Sequence, residues 1–182
     1  PAEDIRLLGQ HNYFDIGVVY GVCSILGMDD GAFTAGLKTY EPLPHRLQYL
    51  GERNGVKYYD DSISSICDTT IQDTDTVLIG GMDRGIDYRE LIEYLSECQV
   101  RHIILMEATG KRIYQEIYKF YPEFKDRPRL ILAEHLEDGV RRAMEITRPG
   151  HSCVLSPAAA SYGIFKNFEE RGEVFARLVF HS

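Results

Sequence analysis

The spacing of apolar positions changes along this chain, and each change marks an element. From His11 to Leu26, Ile16, Val19, Cys23 and Leu26 recur at helical spacing, and Gly27 can end that helix in a left-handed cap. A short helix is predicted next, capped by Asp29 or Asp30, with Phe33 and Leu37 on one face. Pro42 and Pro44 then interrupt the chain, placing a linker at about Tyr40 to Arg46. Leu47 to Arg53 and Val56 to Asp60 read as strands joined by Asn54-Gly55, a pair suited to the two positive-φ positions of a type I′ turn. Beyond them the alternation stops. Short apolar runs at Thr76–Ile79, His102–Met106, Arg129–Leu132 and Cys153–Leu155 read as strands buried on both faces.

Helical patterns fill the intervals. Asp87–Cys98 carries an apparent capping box of Asp87 and Glu90 and a staple of Ile86 on Leu91. Thr109–Tyr121 places Ile113, Ile117 and Phe120 on one face, Leu136–Ile146 pairs Val140 with Met144, and Ser161–Phe180 closes the chain. Alternation of strand and helix implies right-handed crossovers and a parallel sheet. The fold class is therefore α/β: a Rossmann-like, mostly parallel sheet of about six strands, with one antiparallel edge strand and helices on both faces.

The totals narrow the function classes. A chain of 182 residues with 44% hydrophobic residues supports one ordinary domain or one domain with an appended piece. The net charge of -8 and pI near 5.2 argue against a nucleic-acid surface. No run suits a membrane span or a signal peptide, which points to a cytoplasmic setting with no membrane partner. The four cysteines are widely spaced and the six histidines lack ligand spacing, so neither a disulfide frame nor a metal site is expected. The start at Pro1, almost directly in a helix, is expected of a piece of a longer protein.

Three strand-end loops hold the candidate chemistry, because open α/β sheets bind ligands beyond the carboxyl ends of their strands. Asp60-Asp61-Ser62 ends the second strand; a solvated turn would explain it equally well. Gly80-Gly81-Met82-Asp83-Arg84-Gly85 lets backbone approach a ligand, and Arg84 suits a carboxylate or phosphate; a plain turn would explain the glycines alone. Ser156 to Ser161 opens the final predicted helix, where a helix N-terminus favours an anion; a close-packed entry with Ser161 as an ordinary cap is the alternative. There is no P-loop and no dinucleotide fingerprint.

Taken in order, six stretches resemble the C-terminal part of the Mur ligase family, in its glutamate-adding branch. They are Gly9-Gln10-His11-Asn12, Pro44-His45-Arg46, Tyr59-Asp60-Asp61-Ser62, Gly80 to Gly85, Leu155 to Ser161, and Phe165-Lys166-Asn167-Phe168-Glu169-Glu170-Arg171-Gly172. The resemblance spans nearly the whole chain. It implies an ATP- and Mg2+-dependent ligase of peptidoglycan synthesis that phosphorylates the carboxylate of UDP-N-acetylmuramoyl-L-alanine, after which the amine of glutamate attacks the acyl phosphate. By position it implies Asn12 and Asp15 near the adenine, Arg46 and Asp61 near the ribose and phosphates, and Arg84, Ser65, Ser161 and Phe168 around glutamate. It assigns no catalytic residue and no metal ligand within this chain. Residues 1–40 match the last helices of a truncated central ATP-binding domain, and 41–182 the glutamate-binding C-terminal domain. Alone, the chain is expected neither to hydrolyse ATP nor to ligate.

The sequence departs from that pattern at five points. Ile63 replaces a lysine, Ser65 a threonine, Arg84 a lysine, Asp15 an asparagine and Gly163 an aspartate. The segment from Ser62 to Thr76 is several residues short. Ile63 with Arg84 also resembles a branch that adds L-glutamate, while the losses together fit a non-catalytic, Rossmann-like binding module.

Overall fold

The computed structural model describes residues 10–64, 73–122, 124 and 129–181. The chain divides into two compact units, Pro1–Pro44 and His45–Ser182.

The first unit holds α1 (Gln10–Ile25) and α2 (Asp30–Thr39). Asp29 caps α2, its carboxylate accepting from the N–H groups of Gly31 and Ala32, two donors that a helix start otherwise leaves unpaired. Tyr20 of α1 meets Phe33 of α2 edge-on at 5.1 Å and donates its hydroxyl to Asp30.

The second unit is a six-stranded sheet in the order β1-β2-β6-β3-β4-β5. β1 (Gln48–Arg53) and β2 (Val56–Asp60) pair antiparallel through Asn54 and Gly55, both at positive φ as the hairpin requires. β3 (Thr74–Gly80), β4 (His102–Met106), β5 (Arg129–Ala133) and β6 (Ser152–Leu155) run parallel to β2. Successive strand residues point to opposite faces. Leu78, Ile104 and Met106 meet one helical layer, made of α5 (Leu136–Ile146) and α6 (Phe168–Phe180). Val77, Ile79, Ile103 and Leu105 meet the other, made of α3 (Arg89–Glu97) and α4 (Glu107–Phe120). With both faces covered, the central strands need apolar residues at every position, which is why their runs do not alternate.

Three expectations are corrected. The last helix begins at Phe168, not Ser161: Gly163 takes φ 90, and Asn167 is the cap, accepting from the N–H of Glu170. Asp87 caps nothing by the expected box; it binds the backbone N–H and guanidinium of Arg89, α3 starts after Tyr88, and Ile86 is exposed rather than stapled. Phe120 is exposed at the end of α4 while Ile113 and Ile117 are buried.

Candidate functional site at the carboxyl edge of the sheet

Parallel pairing of β2, β6 and β3 brings all three candidate loops to one edge. The backbone stitches them together. Asp61 N–H donates to Leu155, Ser156 N–H to Leu78, Gly80 N–H to Pro157 and Met82 N–H to Ala160. The glycines of the second loop serve this stitching. Gly80 and Gly81 lie at φ 155 and 154, and a Cβ would strike the Met106 carbonyl in one case and that of Ala160 in the other. The expected close approach of backbone is therefore to neighbouring chain.

Asp60 and Asp61 are fully buried. A buried carboxylate is tolerable only when hydrogen-bonded. Asp61 accepts from the Leu47 N–H at 3.2 Å, the Ser64 hydroxyl at 2.7 Å and the Ser156 hydroxyl at 2.9 Å. Asp60 accepts from the Ser62 N–H at 2.9 Å, and its other oxygen lies 2.6 Å from His45 Nδ1. His45 and Leu47 both take positive φ, 61 and 44, which non-glycine residues adopt at a cost. The two carboxylates hold these two residues in place, and Arg46 between them is exposed. The pair thus acts as a base on which an arginine is presented.

Arg171, from the second turn of α6, is the other organising group. It is 3% exposed and donates to the Ala159 carbonyl at 3.1 Å and the Ser62 carbonyl at 2.7 Å, joining the first and third loops. Desolvation pulls its guanidinium down to about 10, against the opposing pull of Glu107 and Asp60. Gly172 follows because a Cβ there would overlap Asp60 and His45. Glu107 opens α4 at φ 60; burial pushes its carboxyl above the usual glutamate range, with Arg171 and His135 opposing.

The glycine loop is exposed at its tip. Arg84 forms no hydrogen bond or ion pair with another described residue. Arg112 of α4 holds the loop from beneath, donating to Asp83 at 2.8 Å and to the Ile86 carbonyl, with its guanidinium 4.6 Å from the Tyr88 ring centre.

The other expected site residues fall as follows. Ser161 is buried one residue beyond the Met82–Ala160 bridge, with no helix start behind it. Phe168 is half-buried and meets His45 edge-on at 6.0 Å. Asn12 and Asp15 lie on α1 in the first unit. Ser65 falls outside the described residues. The sequence reading missed Arg112 and the buried role of Arg171. The Asn167-x-x-Glu170 spacing was a visible signal for the true start of α6.

A layered sheet of this order, with its loops gathered at the carboxyl edge, is the architecture of the Mur ligase C-terminal domain. MurF of Acinetobacter baumannii superposes with a TM-score of 0.65 at 12% identity, covering 98% of this chain and 39% of that one. A Mycobacterium tuberculosis folylpolyglutamate synthase complexed with ADP gives 0.58 at 14%, covering 96% of this chain and 41% of that one. These likenesses show the fold. In sequence, the chain is 36% identical over 98% of its length to a UDP-N-acetylmuramoylalanine–D-glutamate ligase of Caldanaerobacter subterraneus subsp. tengcongensis. It is 32% identical over 98% to the enzyme of that name from Pseudomonas aeruginosa. No protein-family model matches. The chain belongs to the Mur ligase family, as the counterpart of the C-terminal part of a MurD-type ligase. It spans about 40% of the length of the curated relatives it matches.

Proposed function

We propose that this chain is the glutamate-binding part of an ATP-dependent ligase that joins D-glutamate to UDP-N-acetylmuramoyl-L-alanine in peptidoglycan synthesis. The observation that carries the reading is Arg84: an exposed guanidinium on a loop pinned at both sides, at the sheet edge where the Ser156–Ser161 loop also ends, in a chain so similar to enzymes of that name. A guanidinium pairs a carboxylate with two parallel hydrogen bonds, fixing its orientation as well as its charge. Arg84 would hold a glutamate carboxylate, with Ser65, Ser161 and Phe168 shaping the rest of the pocket. Positive charge fixed there also steadies the anionic centre that forms when the amine attacks the acyl phosphate.

ATP is the proposed phosphoryl donor. Arg46 is the contact this unit offers it, on the turn held by Asp60 and Asp61, while Asn12 and Asp15 are the proposed adenine contacts of the first unit. Residues 1–40 would then be the end of the central ATP-binding domain and 41–182 the C-terminal domain. In this reading Mg2+ is held mainly by the rest of the enzyme, and no step is routed through it here. No described helix is long and apolar enough to cross a membrane.

A second reading, L-glutamate as the co-substrate, is favoured by Ile63, which puts an apolar side chain beside the Asp61-Ser62 turn. A ligation assay of the full-length protein with UDP-N-acetylmuramoyl-L-alanine, ATP and either enantiomer separates the two. Ligation of neither would leave a non-catalytic binding module and overturn the enzyme reading. The 182-residue chain alone is expected to show no turnover.

A further inference from the structure

Residues 83–88 form neither helix nor strand, so their backbone has no ladder to fix it. A side chain from α4 holds their tip, 26 residues away along the chain from its nearer contact, Ile86, and 29 from the farther, Asp83. Arg112 reaches Asp83 on one side of Arg84 and the Ile86 carbonyl on the other. It also covers the ring of buried Tyr88, the residue before α3. Asp83 passes the restraint inward, since the oxygen that pairs with Arg112 also accepts the Gly85 N–H at 2.9 Å. Glu116, one turn along α4, stands 3.3 Å from Arg112 Nε and steadies the guanidinium from behind. The side chains of Arg112 and Asp83 are 25% and 27% exposed, so the pair is screened less than a free surface pair. The two Arg112 hydrogen bonds straddle Arg84, and among the described residues none falls on it.

We propose that Arg112 is a positioning residue for Arg84: its clamp on both sides of that residue sets where the Arg84 guanidinium meets the carboxylate of the amino-acid substrate. This rests on the reading of Arg84 given above. An arginine is required because the job needs a planar fork that reaches two acceptors while stacking on a ring; a lysine could keep the Asp83 pair and lose the rest.

The test is steady-state ligation by the full-length protein carrying Arg112→Ala, Arg112→Lys, Asp83→Asn, Arg84→Ala, or Arg84→Ala with Arg112→Ala. Arg112→Ala is expected to raise the KM for glutamate about tenfold while leaving the KM for ATP and the kcat at saturating glutamate within about twofold. Arg112→Lys recovers part of the loss, and Asp83→Asn reproduces part of it. On the Arg84→Ala background, Arg112→Ala adds nothing, because its effect runs through the missing side chain; a merely structural role would persist there. An unchanged glutamate KM in Arg112→Ala, with Arg84→Ala raising it, overturns the proposal and spares the Arg84 reading. So does an equal Arg112→Ala effect on both backgrounds. An unchanged KM in Arg84→Ala itself removes the reading and the proposal together. Should Arg112→Ala fail to fold, Asp83→Asn decides: a glutamate KM equal to that of the parent overturns the proposal.

Discussion

The turn carrying Arg46 and the loop carrying Arg84 lie at the same sheet edge, and opposite means hold them. Carboxylates fully buried at the end of β2 hold the first, through His45 and Leu47. A partly exposed guanidinium from α4 holds the second, through Asp83 and Ile86. Buried charges in water-free surroundings depend on every partner they have, so the first arrangement is bound up with the stability of the fold. The second stands at the rim, where partners can be exchanged for water at modest cost. Changes at the Asp60-Asp61-Arg171 network should therefore unfold the chain before they report on a ligand. Changes at the glycine loop should alter ligand affinity while the fold persists.

The largest effect should come from Arg171→Ala. It leaves the Ala159 and Ser62 carbonyls without their donor and opens a cavity under α6, a loss of about 3–5 kcal/mol in urea denaturation. That is a large share of an ordinary domain's stability of roughly 5–15 kcal/mol. Asp61→Asn should cost about 2–3 kcal/mol by the same measurement, because it weakens three hydrogen bonds to a charge and turns an amide donor toward donors. Gly172→Ala should cost about 1–3 kcal/mol through overpacking against Asp60, whereas Gly163→Ala meets no neighbour and is strained only by its φ of 90. If Gly172→Ala proved harmless, the buried Asp60–His45 contact would not be rigid.

The smallest effect concerns Glu107 and pH. Its folded-state carboxyl titrates above the ordinary range, so the folded chain keeps that proton longer than the unfolded one. The sign follows: stability from this group is fully present below the ordinary glutamate value of about 4.3 and declines as pH rises through the raised value. Glu107→Gln should remove that decline, making the variant's advantage grow from acid toward neutral pH in a series of urea titrations. A constant difference across the series would show that Glu107 does not titrate as its burial demands.

The outline of the fold was legible because its signals are local. Asn54-Gly55 names its turn, the apolar runs of β3 to β6 need no partner to be recognised, and the order of strands and helices dictates the parallel sheet. The site was legible only as far as strand ends go. That Asp60 and Asp61 face inward could not be read from an acidic pair in a turn, because their partners are His45, Leu47 and Ser156, the last 95 positions away from Asp61. Arg171 binds Ser62 across 109 positions, and no spacing announces such a contact. The start of α6 was misplaced for a local reason. Phe165 prolonged an apolar pattern beyond the helix, while Gly163 and the Asn167 cap carried the contrary signal.

The most direct test of the division between the two turns is to measure the glutamate KM and the melting temperature of full-length Arg84→Ala beside those of Asp61→Asn. Arg84→Ala should raise the glutamate KM by about ten- to a hundredfold, as befits loss of a charge-assisted pair, with its melting temperature unchanged. Asp61→Asn should do the reverse, melting early with a near-normal glutamate KM in whatever fraction remains folded. A glutamate KM untouched by Arg84→Ala, or raised as far by Asp61→Asn without loss of stability, would contradict the account.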